Sequence, residues 1–151
     1  MDQPLKNIAP SQPSGIDPNP ETGGEPMTNW PAMTNESSRQ LRNLRASAAD
    51  VMKAFTGIAQ SALAEKALNG KTKELIALAI AVAVRCDDCI AFHVRAAIEQ
   101  GASRDEVIEA LGMAIYMGAG PSVMYASHAL EAHSQFTRRN AQPAQLAVVP
   151  R

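Results

Sequence analysis

From Thr72 to Val84 the chain reads TKELIALAIAVAV, and once Glu74 is passed it is apolar on every side. A helix with no polar face cannot lie on a surface, so this segment predicts a helix central to a packed core. Its unbroken apolar run, Leu75 to Val84, is the longest in the chain at ten residues. A bilayer-spanning helix needs roughly 20, and none is expected. The composition is 46% hydrophobic but only 4% aromatic, with alanine throughout, which suits helices packed closely around that segment.

The flanking sequence has helical periodicity. Between Ser37 and Leu68, Leu41, Leu44, Ala48, Val51, Met52, Phe55, Ile58, Ala62 and Leu63 recur mostly three or four apart, predicting a helix that Gly57 kinks or splits. Asn69-Gly70 forms a loop before the central helix. The next helix runs from about Asp87 to Gln100, with Gly101 supplying the left-handed residue after its end. Ser103 and Glu106 form an S-x-x-E capping box that opens a helix to about Met117. Gly118-Ala119-Gly120 breaks it, and Pro121 suits the first turn of a last helix to about Arg138. No strand or hairpin pattern competes, so the fold class is all-α, a compact helical bundle.

Residues 1–33 are different. They hold seven of the ten prolines and little apolar periodicity, so they are expected to form an extended or docking tail, with Ile16, Met27 and Trp30 as anchors. Residues 34–139 form the helical domain and 140–151 a second tail. A formal net charge of -1 offers no concentrated basic surface, which excludes nucleic acid and anionic membrane as expected partners. The N-terminus lacks the basic-then-apolar order of a secretory signal, giving a cytoplasmic expectation.

The chemistry concentrates at Cys86, Cys89 and His93. These are the only two cysteines and one of three histidines, spaced C-x-x-C-x-x-x-H. On a helix this puts Cys86 beside Cys89 and Cys89 beside His93. One face can then carry a nucleophile, a resolving thiol and a proton carrier. Cys89 falls in a first helical turn, where free N–H groups favour a thiolate. Asp87 and Asp88 suit a helix start yet repel a neighbouring thiolate, two opposed effects. Glu74 sits at the head of an apolar helix, either solvated in its first turn or buried and able to shuttle a proton. The cysteines and His93 supply three zinc ligands where a structural site usually wants four, so no metal is expected. His128 and His133, five residues apart on one helix, point in different directions and read as ordinary surface or interface histidines.

The stretch KELIALAIAVAVRCDDCIAFHVRAA, followed by QGASRDEVIEAL and GAGPSVMYA, resembles the carboxymuconolactone decarboxylase superfamily, and within it the alkylhydroperoxidase AhpD-like branch. The resemblance covers about Val51 to Phe136. It implies an AhpD-like all-helical fold assembled as a trimer, hexamer or similar ring. It also implies a thiol peroxidase or disulfide reductase acting on organic hydroperoxides, with Cys89 peroxidatic, Cys86 resolving, and Glu74 and His93 as proton relay. A dithiol or lipoyl-type donor would restore the thiols, and no bound cofactor is required. Many relatives carry an aromatic residue just before the second cysteine, where Asp88 stands here. Two other functions compete: a decarboxylase acting on a lactone without thiols, and a redox-responsive assembly or cargo protein directed to a larger partner by its tails.

Overall fold

The computed structural model describes residues 28–142, and all regular secondary structure among the described residues is helical. Five helices follow in order: α1 (Trp30–Ser47), α2 (Ala49–Leu63), α3 (Gly70–Ala83), α4 (Asp87–Glu99) and α5 (Arg104–Ala141). Helices α3, α4 and α5 pack on one another, and α1 lies against α4 and α5. Leu78 and Val82 of α3, Ile90 and Val94 of α4 and Val107 of α5 are fully buried between them. Ala91, Ala97, Ala129 and Ala132 are buried at the seams. With nothing beyond Cβ, they let the helices approach closely.

The helix starts follow from local sequence. Asn29 caps α1 by accepting from the Ala32 N–H at 3.0 Å, with Pro31 just inside, and Asn69 caps α3 through the Thr72 N–H at 2.8 Å. At α5 the capping box forms as expected: Ser103 Oγ accepts from the Glu106 N–H at 3.1 Å, and Glu106 accepts from the Ser103 N–H at 2.8 Å. Lys71 also donates to Glu106 at 2.6 Å, tying the start of α3 to that of α5. Lys71 first, then the Ser103 N–H, hold the Glu106 carboxyl below the usual carboxylate range.

Two helix ends share one geometry. After α4, Gly101 takes φ 78°, and Gly101 and Ala102 donate back to Ile98 and Ala97, each at 2.9 Å. After α3 the same pair of bonds runs from Arg85 to Val82 and from Cys86 to Ala81, at 3.2 and 3.0 Å. Here the left-handed residue is Arg85, with φ 63°, where a side chain costs about 1 kcal/mol or more. Arg85→Gly is therefore expected to raise the unfolding free energy by about 1 kcal/mol. A urea midpoint that rises at unchanged slope shows this; an unmoved midpoint would mean the turn stores no strain.

Several expectations are corrected. The helix expected over Ser37 to Leu68 is two helices, beginning earlier, at Trp30, and ending earlier, at Leu63. It divides at Ala48, with φ -131° and ψ 53°, not at Gly57, which lies inside α2. Gly57 has open space around it and no neighbour that asks for a bend. From Ala48 the chain heads toward the start of α3, where Lys73 donates to the Ala62 carbonyl at 2.7 Å. The tail boundary expected at residue 33 falls in the first turn of α1. Trp30, expected to anchor on a neighbour, is 2% exposed in its own core, and its backbone N–H donates to Gln135 Oε1 at 3.0 Å. Residues 1–27, with Ile16 and Met27, and 143–151 lie outside the described residues; α5 continues to Ala141, past the expected domain end at 139.

Helix α3 is not enclosed on all sides either, since Ile76, Ile80 and Val84 form an exposed row opposite the buried row of Glu74, Leu78 and Val82. Helix α5 is long and apolar enough to cross a membrane by length and composition alone. The break expected within it occurs, with the positive φ of 53° carried by Ala119 between the two glycines, and both halves pack against the other helices. A Cβ on Gly118 would meet Ser122 Oγ at 2.0 Å, so a side chain there would have to displace that buried hydroxyl. His133, expected at a surface or interface, is buried. Burial, and then the charge of Arg104, hold its imidazole below the usual range.

Candidate active site

The turn after α3 delivers Cys86 to the start of α4, where it is the capping residue and its Sγ accepts from the Cys89 N–H at 3.2 Å. Cys86 and Cys89 are joined as a disulfide, their Cα atoms 5.2 Å apart. Both are half-buried, and Cys89 packs against the core cluster. The helix N-terminus thus favours the sulfur of Cys86, whereas the sequence suggested Cys89. Cys89 lies in the third helical position, so its own N–H is the donor.

His93 stands four residues beyond Cys89, on the face of α4 that carries it. Because α3 and α4 run back along each other from the Arg85 turn, Glu74 comes level with His93, and His93 Nδ1–H donates to Glu74 Oε2 at 2.8 Å. Against an ionised carboxylate, which can only accept, this bond takes the tautomer with its proton on Nδ1, the one whose Nε2 carries a lone pair. Glu74 is buried, in register with Leu78 and Val82. Of the two environments open to it from sequence, it occupies the buried, paired one.

The aspartates between the cysteines are engaged separately. His128 Nδ1–H, from the second half of α5, donates to Asp87 Oδ1 at 2.9 Å. Ser37 Oγ–H, from α1, donates to Asp88 Oδ1. The His128 ring stacks at a tilt on Trp30 and Tyr125, with centroids 5.9 and 5.1 Å away, so His128 is a partner of the motif and not an ordinary surface histidine. Beside Asp88, a cleft of about 340 Å³ opens between α1 and α4, lined by Ser37, Gln40, Leu41, Leu44, Asp88 and Phe92. Its walls are apolar on Leu41, Leu44 and Phe92, and Asp88 and Phe92 flank Cys89 along α4.

The four residues singled out by sequence therefore form two pairs on adjoining helices: Cys86 with Cys89, and Glu74 with His93. Sequence missed His128, Ser37 and Trp30. They are 41, 51 and 98 residues from their partners Asp87, Asp88 and His128, and no local spacing signals such contacts. Among the described residues, no group of three or more His, Cys, Asp and Glu side chains is placed to hold a metal ion.

The profile of the carboxymuconolactone decarboxylase family matches residues 49–132. An uncharacterized protein of Cupriavidus necator is 42% identical over 95 residues, which is 63% of this chain and 84% of that protein. The apo structure of a carboxymuconolactone decarboxylase family protein from Legionella pneumophila superposes with a TM-score of 0.70 at 45% identity, covering 72% of this chain and 96% of that one. A family member from Thermotoga maritima, for which involvement in the antioxidative response has been suggested, superposes with a TM-score of 0.68 at 25% identity, covering 77% and 99%. A family profile matching more than half of the sequence, on a fold shared with solved members, places the chain: it belongs to the carboxymuconolactone decarboxylase family.

Proposed function

We propose that the protein is an AhpD-like thiol peroxidase, reducing organic hydroperoxides through Cys89 and Cys86. The observation that carries this reading is the redox pair beside a buried Glu74–His93 couple, an arrangement lactone decarboxylation does not need. In the dithiol form, His93 Nε2 takes the proton of Cys89, and Glu74 stabilises the resulting imidazolium. The thiolate attacks one peroxide oxygen, the O–O bond breaks, and the departing alkoxide takes a proton from His93 to leave as alcohol. Cys89 is then a sulfenic acid. Cys86 displaces its hydroxyl as water and forms the disulfide, the state seen here. An external dithiol, of lipoyl type in this reading, returns the pair to thiols and becomes a disulfide itself.

The stoichiometry tests this. Reduced protein mixed with cumene hydroperoxide should lose two thiols for each peroxide consumed. Unchanged thiols would remove the peroxidase reading, and full lactone turnover by a Cys86→Ser/Cys89→Ser double variant would install the decarboxylase in its place.

The working form in this reading is a homo-oligomer, a trimer or hexamer, in the cytoplasm. Its support is exposed apolar surface. No residue of α2 is buried, and Val51, Phe55 and Ile58 along one of its faces are 70%, 61% and 67% exposed. An isolated helix of 15 residues is marginal in water, and the exposed rows on α3 and α5, among them Ile80, Met117 and Met124, offer a second copy a matching apolar face. Phe55→Glu with Ile58→Glu is expected to yield monomers in sedimentation or light scattering and to lower the helical signal. A wild-type monomer would contradict the assembly.

A further inference from the structure

We infer that His128 is a positioning residue for the thiol pair, acting through Asp87 to hold down the charge that opposes thiolate formation. The inference rests on the thiol chemistry proposed above and concerns how readily the disulfide opens.

Asp87 is the residue next to Cys86 and occupies the first position of α4. Left alone, its carboxylate would raise the energy of a thiolate at Cys86 by like-charge repulsion, and of one at Cys89 two residues on. It would also compete with the Cys86 sulfur for the N–H groups at the start of α4. The structure does not leave it alone. His128 Nδ1–H occupies one lone pair of Oδ1 at 2.9 Å, and a hydrogen bond draws charge from the carboxylate and fixes where it points. Among the described residues no other salt bridge reaches Asp87. The remaining ionisable groups about the motif are Glu74 and His93, bonded to each other, Arg85 immediately before Cys86, and Asp88, which accepts from Ser37.

His128 is itself held from the far end of the fold. Its ring lies against Trp30 and Tyr125. The backbone at Trp30 is fixed in turn by Gln135, whose Oε1 accepts from the Trp30 backbone N–H and whose Nε2 donates to the Thr28 carbonyl at 2.9 Å. The first turn of α1 thus braces a histidine of α5 against the first turn of α4. Two aspartates inside a redox motif, a puzzling choice from sequence, become compatible with reactive thiols because each has its own donor on another helix.

The test reads thiol chemistry without peroxide. Wild type and variants are equilibrated with glutathione, so that protein disulfide plus two glutathione thiols exchange with protein dithiol plus glutathione disulfide, and the reduced forms are alkylated with iodoacetamide at pH 7. His128→Phe keeps a ring against Trp30 and Tyr125 but removes the N–H. It should lower both the dithiol fraction constant and the alkylation rate about threefold, the scale of one hydrogen bond to a carboxylate near the surface. His128→Asn, whose amide can donate in place of Nδ1, should stay near wild type. Asp87→Asn should raise both quantities, and adding His128→Phe to it should change nothing further. Equal losses in the Phe and Asn variants, no loss in either, or the same loss with and without Asp87 would each overturn the inference. Wild-type thiols that neither exchange with glutathione nor alkylate would instead sink the thiol chemistry itself, so the two failures are distinct.

Discussion

Replacing Cys89 by serine is expected to abolish peroxide consumption, a fall on the order of 10³-fold or more, because a hydroxyl in that place has no accessible anion near neutrality. Cys86→Ser should behave differently. It keeps the attacking sulfur, so one peroxide is consumed per chain at close to the wild-type rate, after which the reaction stops with Cys89 oxidised. Rapid mixing with hydroperoxide separates the two outcomes, one variant showing no fast phase and the other a single-turnover burst. The geometry gives this contrast its force. Cys86 caps α4 and receives the Cys89 N–H, whereas Cys89 has His93 four residues on. If the burst survived in Cys89→Ser and vanished in Cys86→Ser, the sulfur favoured by the helix N-terminus would be the nucleophile and the assigned roles would be exchanged.

Glu74→Gln should slow the burst roughly 10- to 100-fold, less than the roughly 10²- to 10⁴-fold that a positioned base itself contributes. The amide oxygen can still accept from His93 Nδ1–H, so orientation is kept while the charge that stabilises the imidazolium is lost. Unfolding free energy should change by no more than about 1 kcal/mol, since the bond to His93 is kept and the side chain changes little in size. His93→Ala is the harsher change. It removes the base and leaves a buried carboxylate unpaired, so the rate loss should come with a stability loss on the order of 1–3 kcal/mol. Denaturant midpoints beside the burst rates distinguish the two. A Glu74→Gln protein with an unaltered burst would show that the couple serves packing alone.

How much of this was legible in the sequence varied by region. The capping box at Ser103 and Glu106, the left-handed Gly101 and the break near Ala119 depend on residues three or four apart, and local chemistry decides them. The all-α class followed from the same periodicity. The division at Ala48 had no such signal, alanine being the best helix former, and only the path toward α3 explains it. The apolar circumference of α3 was read as burial within one chain. The structure buries one face and leaves Ile76, Ile80 and Val84 exposed, the row that the proposed assembly would cover. At the site, the cysteines and His93 were visible as a motif, and Glu74 as an oddity whose partner spacing could not name. The opposed effects of Asp87 and Asp88 could not be weighed from sequence at all, since the donors that engage them come from α5 and α1.

The most direct measurement is peptide mass spectrometry of the fully reduced protein, quenched with a thiol-alkylating reagent after one equivalent of cumene hydroperoxide. A peroxidase working as proposed converts the Cys86–Cys89 peptide from doubly alkylated to internally disulfide-linked, and the Cys86→Ser protein treated alike shows oxygen added at Cys89. Recovery of the doubly alkylated peptide from the wild type, with the hydroperoxide undiminished, would contradict it.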